Sequence, residues 1–132
     1  AFAWFVPYLL DASAMRAGGS HLTGRHDFRS FQASGSHPRI TTVRTISKID
    51  IRESFRDPFQ EIEIWITADG FLYNMVRNIV GTLVRVGRGA ESPQWVAEVR
   101  DRLDREHRGQ TAPPEGLYLD HVVYDPATLK RD

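Results

Sequence analysis

The segment that most constrains the fold lies between residues 70 and 89, where apolar side chains recur with helical spacing. They fall at positions 72, 75, 76, 79, 80, 83, 84 and 86, the pattern of an amphipathic helix that packs one side against a core. Gly70 precedes the pattern and Gly87 follows it, as is usual at helix ends. The spacing therefore predicts a helix over 71–86.

Arg77 lies at the margin of the apolar side of this helix. On a helical wheel, Arg85, Asn74 and Asn78 are predicted to lie on the opposite, solvated side. The stretch 70–89 contains arginines and no acidic residue that could neutralise them. An arginine at such a boundary most often extends along the surface with its charge in water. The pattern alone favours that role for Arg77, and a position at the edge of a cleft is the alternative.

The composition indicates one folded domain. The chain has 132 residues, of which 41% are hydrophobic and 26% charged, which excludes a disordered chain. No apolar run approaches the roughly 18 residues needed to span a bilayer. The lack of cysteine excludes disulfides and thiol catalysis and fits a cytoplasmic protein. The chain begins at Ala1 rather than Met, inside an apolar segment, which suggests a fragment of a longer protein.

The remaining elements complete a small α+β domain. Residues 10–24 are predicted to form a helix capped by Asp11, although Gly18 and Gly19 each cost about 1 kcal/mol relative to alanine. This helix is therefore weak or held by close packing. The other predicted elements are strands over 40–54 and 60–68, a helix from Ser92 to about Asp104, and a last strand over 117–125. The order α-β-β-α-α-β predicts helices packed on one face of a mostly antiparallel sheet.

Charge is distributed unevenly, although the formal net charge is zero. Residues 16–52 are rich in arginine, and the arginines alternate with aromatic residues that include Phe28 and Phe31. Cations for phosphates and rings for stacked bases are the parts of a surface that binds single-stranded or loop RNA. A solvated basic face is the alternative.

Other chemistries have weaker support. The histidines at 21, 26, 37, 107 and 121 show no ligand spacing, so no metal site is predicted. Asp27 beside His26 could serve acid–base chemistry, but a cap on the turn before Phe28 is the favoured interpretation.

Four ordered blocks resemble the tRNA pseudouridine synthase A (TruA) family. The first is Gly24-Arg25-His26-Asp27-Phe28-Arg29-Ser30-Phe31, and the second is Gly70-Phe71-Leu72-Tyr73-Asn74-Met75-Val76-Arg77-Asn78-Ile79-Val80-Gly81-Thr82-Leu83. Thr111-Ala112-Pro113-Pro114-Glu115-Gly116-Leu117-Tyr118-Leu119 and Val123-Tyr124 follow. The resemblance implies that residues 1–132 form the C-terminal half of such an enzyme. The family's catalytic aspartate and base-stacking tyrosine belong to the N-terminal half, and the Gly-Arg-Thr-Asp motif is absent from this sequence.

The resemblance also implies a function and a site. The family isomerises uridine to pseudouridine in the tRNA anticodon arm without a cofactor or a catalytic metal. The resemblance implies that Arg77 pairs with the catalytic aspartate and that Leu117 lines the pocket beside the base. Residues expected to contact RNA are Arg25, Phe28, Arg29, Phe31, Arg85 and Arg88.

The expected partners are the tRNA anticodon stem-loop, the N-terminal half and a second copy of the full-length protein, with no membrane involved. The fragment alone is expected to be inactive. Two alternatives are a non-catalytic RNA-binding or protein-interaction module with this fold, and a folding unit whose exposed face is only a domain interface.

Overall fold

A computed structural model of the chain describes residues 9–32, 41–56, 59–72 and 74–104. Three helices are present in these residues: α1 (Ala12–Ser20), α2 (Met75–Gly87) and α3 (Pro93–Arg102). The strands are β1 (Gly24–Asp27), β2 (Val43–Arg56) and β3 (Phe59–Ala68), and a short 3-10 helix, η1 (Arg29–Phe31), follows β1. The predicted α+β class is confirmed, with β1 and η1 as short additions. The predicted last strand, 117–125, lies outside the described residues.

The strands form an antiparallel sheet in the order β1-β2-β3. Its inner face carries the pairs Ile49–Ile66 and Ile51–Ile64, as the alternation in β3 predicts. The prediction was wrong for Ile46, which was assigned to the face opposite Ile49 and is fully buried. The register shifts between Ile46 and Lys48, and such a bulge turns the side chains on one side of it to the other face.

The glycines of α1 allow close packing against neighbouring elements. Close packing was one of the two alternatives that the sequence left open for this helix. A Cβ atom added at Gly18 would lie 3.1 Å from Val96 Cγ2 and 3.4 Å from Leu83 Cδ2. One added at Gly19 would lie 3.3 Å from Ile49 Cγ2. The helix therefore contacts α2, α3 and β2 at the same time. Its start also follows the prediction, because the Asp11 side chain accepts a hydrogen bond from the Ala14 backbone N–H at 3.0 Å.

Replacing Gly18 with leucine is expected to lower the free energy of unfolding by about 1–3 kcal/mol, since extra carbons in a well-packed core force neighbouring side chains from their rotamers. Chemical denaturation measures the change. Ala17→Leu is the matched control, because Ala17 is exposed on the same helix and should tolerate the larger side chain. Equal stability of the two variants would contradict the close packing of α1.

None of the helices in the described residues combines the length and the apolar character needed to cross a membrane.

Candidate active-site helix

Arg77 lies in the first turn of α2, and its side chain is partly buried. Its Nη1 atom donates a hydrogen bond to Asn74 Oδ1 at 3.1 Å. Asn74 directly precedes the helix and has a left-handed backbone, with φ of 58°. The helix begins at Met75 rather than at the predicted residue 71 because a left-handed residue interrupts the helical hydrogen-bond pattern. The guanidinium is therefore held at the start of the helix by a neighbouring amide.

Asn78 was predicted on the solvated side of the helix, and the structure contradicts this. The residue is fully buried, and its Nδ2 atom donates a 2.7 Å hydrogen bond to the Phe31 carbonyl. Thr82, also buried, donates its hydroxyl to the Asn78 carbonyl at 2.8 Å. A buried amide is tolerated when its polar atoms have partners, and η1 supplies one here. The helical wheel misplaced Asn78 because its polar side chain was assumed to be exposed to solvent.

The short helix η1 is fixed to α3 as well. Ser30 is fully buried, and its hydroxyl donates a 2.7 Å hydrogen bond to the Val99 carbonyl. With the Asn78 contact, η1 is joined to both α2 and α3 by directional bonds. Two of the blocks that carry the family resemblance therefore meet in space.

Phe28 and Phe31 were expected to contact RNA, and the structure places both in the core. Each is fully buried, and their ring centroids are 6.2 Å apart. A ring enclosed by protein on both faces is unavailable for stacking on a base. The two residues are therefore corrected from RNA-contacting to core residues. The three-residue spacing of Phe28 and Phe31 in the sequence does not distinguish an aromatic pair in the core from one that stacks on RNA bases.

Asp27 caps a turn, which confirms the favoured interpretation. Its Oδ1 atom accepts hydrogen bonds from the Arg29 backbone N–H at 3.1 Å and from the Thr42 hydroxyl at 2.6 Å. The neighbouring His26 contacts the Thr23 carbonyl through Nε2 at 2.9 Å. These contacts account for the His-Asp pair as part of the β1–η1 corner.

The predicted RNA-contacting arginines lie on β1, on η1 and at the C-terminal end of α2. Arg25 and Arg29 are exposed in β1 and η1, and Arg88 is exposed directly after α2. Arg85 differs, because its Nη2 atom lies 3.3 Å from Glu91 Oε1 and its guanidinium lies 5.4 Å from the centre of the Trp95 ring. The Glu91 carboxylate offsets part of the charge that Arg85 could offer to a phosphate. Leu117 lies outside the described residues.

An open depression of about 160 Å³ lies on the α3 side, lined by His26, Asp27, Arg100, Asp101 and Leu103. Arg100 Nε lies 2.9 Å from Asp101 Oδ1, and this hydrogen bond lowers the pKa of Asp101 below its ordinary value. Arg100 also donates to the His21 carbonyl. The cation in the depression is thus already paired. No group of three or more potential metal ligands occurs in the described part of the chain.

Comparison with known proteins identifies the family. The family model described as tRNA pseudouridine synthase matches residues 20–125. The chain belongs to the tRNA pseudouridine synthase family. Among its relatives is tRNA pseudouridine synthase A 2 of Clostridium perfringens, which is 44% identical over 123 residues, covering 93% of this chain and 48% of the relative. The tRNA pseudouridine synthase A of Paracoccus denitrificans is 45% identical over 123 residues, covering 93% of this chain and 47% of the relative.

The family resemblance inferred from the sequence blocks is therefore confirmed, and the chain is related to the TruA enzymes. It spans about half the length of the curated relatives that it matches. The tRNA pseudouridine synthase match includes the helix that carries Arg77 and the η1 corner that anchors this helix through Asn78. The sequence analysis did not predict that Asn78 is buried. The available signal was that Asn78 lies four residues before Thr82 and beside Met75 and Ile79 on the same helix.

Proposed function

We propose that this chain is the C-terminal half of a tRNA pseudouridine synthase that isomerises uridine to pseudouridine in the tRNA anticodon arm. The observation that carries the proposal is the family match over residues 20–125, which includes the Arg77 helix. A chain that spans about half of its relatives leaves room for a second half carrying the nucleophile. The chain's own contribution is then a positioned cation and one wall of the cleft.

In the proposed reaction, an aspartate of the N-terminal half attacks the nucleotide, and the C–N glycosidic bond breaks. The uracil turns, C5 bonds to the sugar carbon as the bond to the aspartate breaks, the aspartate is released as a carboxylate, and the proton on C5 is lost. The target nucleotide must leave its stack to reach the site.

Arg77 would pair with the aspartate carboxylate. A guanidinium presents a planar fork of N–H donors that can hold a carboxylate through two parallel hydrogen bonds. Its partly buried position strengthens the attraction relative to bulk water. The pair would keep the aspartate ionised and in one orientation, and Leu117 would supply an apolar wall beside the base.

The proposed tRNA contacts are narrowed by the burial of the two phenylalanines. Arg25, Arg29 and Arg88 are exposed and suited to phosphate binding. Arg85 is less exposed and forms an ion pair with Glu91. We also propose the N-terminal half and a second copy of the full-length protein as partners, and the cytoplasm as the site of action.

The isolated 132-residue chain is expected to form no pseudouridine, because it lacks the nucleophilic aspartate. Release of tritium from tRNA labelled at uridine C5 measures the reaction, since C5 loses its hydrogen isotope when it bonds to the sugar. A full-length synthase with these residues as its C-terminal half is the control and should release tritium.

Tritium release by the isolated chain would contradict the assignment of the nucleophile to the other half. Salt-dependent tRNA binding without isomerisation by the full-length protein would favour the alternative of a non-catalytic RNA-binding module.

A further inference from the structure

We propose that Asn74 is a positioning residue for the reaction, which orients Arg77 through its side-chain carbonyl. The inference rests on the proposed function, because it concerns the arginine assigned to the catalytic carboxylate. Asn74 touches neither substrate nor reacting atoms in this proposal. Its role is to limit the orientations that the Arg77 guanidinium adopts before the aspartate reaches it.

The geometry at the start of α2 departs from an ordinary helix cap. A residue at the N-cap position normally has an extended backbone and accepts a hydrogen bond from the second or third helical N–H. Asn74 has φ of 58° and ψ of 13°, and its side chain caps no backbone N–H. Its Oδ1 atom accepts instead from Arg77 Nη1 at 3.1 Å. The Asn74 side-chain oxygen, which would ordinarily cap the helix, thus binds the Arg77 guanidinium.

The left-handed backbone is what makes this contact compatible with helix formation. The Asn74 carbonyl accepts a hydrogen bond from the Asn78 N–H at 3.0 Å, so the first turn closes on the Asn74 backbone. Asparagine tolerates the left-handed region better than most residues with a side chain. A fixed backbone at Asn74 therefore gives its amide a fixed position relative to Arg77.

The contact with Asn74 does not neutralise the arginine. A guanidinium has five N–H donors, and Asn74 receives one of them. A neutral amide oxygen orients the group without cancelling its charge. A carboxylate at the same position would compete for the cation, which is why an asparagine suits this role.

The test is Asn74→Gly in the full-length synthase. Glycine accepts φ of 58° readily, so the variant removes the amide and keeps the backbone. The single-turnover rate at saturating tRNA is expected to fall about tenfold, the loss of one hydrogen bond to a charged group. The tRNA Kd should stay within about twofold, because the residue contacts no RNA. Leu103→Gly is the matched control, since Leu103 is another left-handed residue beside a helix, with φ of 57°, and its rate should not change.

A double-mutant cycle separates positioning from a general effect on the helix. If Asn74 acts through the guanidinium fork, Asn74→Gly should change the rate less than about twofold in an Arg77→Lys background, because coupled residues are non-additive. The same tenfold loss in both backgrounds would overturn the proposal, as would an unchanged rate in the single variant. An inactive wild-type enzyme would instead contradict the proposed function, so the two failures are distinguishable.

Discussion

Replacing Arg77 with lysine in the full-length synthase is expected to lower the single-turnover rate of pseudouridine formation by about 100-fold to 1,000-fold. Removing one fixed hydrogen-bond donor that stabilises a developing charge in an active site typically lowers the rate by this factor. Lysine keeps the positive charge but replaces a planar fork with a flexible point charge. The partner carboxylate would then be attracted to the site without being held in one orientation.

The matched control for this prediction is Arg52→Lys. Arg52 is a surface residue whose side chain is 56% exposed and pairs with Asp50, so the same chemical change there should leave the rate unaltered. Tritium release under single-turnover conditions measures both variants. Equal rates for wild type and Arg77→Lys would remove Arg77 from the proposed pair, whereas a loss confined to tRNA affinity would make it a phosphate contact.

Replacing Phe31 with alanine is expected to reduce the free energy of unfolding by about 3–5 kcal/mol, the usual cost of truncating a buried aromatic ring. Phe31 is fully buried and lies where η1 meets α2. The variant loses the ring's apolar contacts and leaves a cavity beside Phe28. Denaturant unfolding of the full-length protein, followed by a probe in this half, measures the change.

Phe55→Ala is the control, because that phenylalanine is 67% exposed and its truncation should change stability by less than about 0.5 kcal/mol. The folded fraction of Phe31→Ala should bind tRNA as wild type does, since the ring contacts no base. A stable Phe31→Ala protein with weakened tRNA binding would restore the original expectation that Phe31 stacks on RNA.

Local signals in the sequence predicted most of the fold. The helical spacing in α2, the alternation in β3 and the Asp11 cap of α1 depend on residues a few positions apart, and all three hold in the structure. The face assigned to Ile46 failed because the bulge before Lys48 depends on how two strands pair. The predicted start of α2 failed because a helical wheel carries no information about the left-handed backbone of Asn74.

The site was less predictable because its supporting contacts join distant residues. The Asp27 cap was predicted as a turn before Phe28, from residues next to it in the chain. The burial of Asn78 depends on the Phe31 carbonyl, and that of Ser30 on the Val99 carbonyl. Nothing in the spacing of either residue identifies its partner. Arg77 was assigned a role by resemblance to a family, and its hydrogen bond to Asn74 was not predicted.

The Asn78–Phe31 hydrogen bond restricts rotation of α2 about its own axis. Apolar contacts allow a helix to rotate by small angles, but a directional bond to a fixed carbonyl restricts such rotation. Side chains reach about 5–6 Å from a helix axis, so a roll of about 20° would move the tip of Arg77 by about 2 Å. Displacements of about 1 Å can cost a hundredfold in rate. If Arg77 pairs with the aspartate as proposed, the buried Asn78 amide helps to keep the guanidinium in position by restricting this rotation.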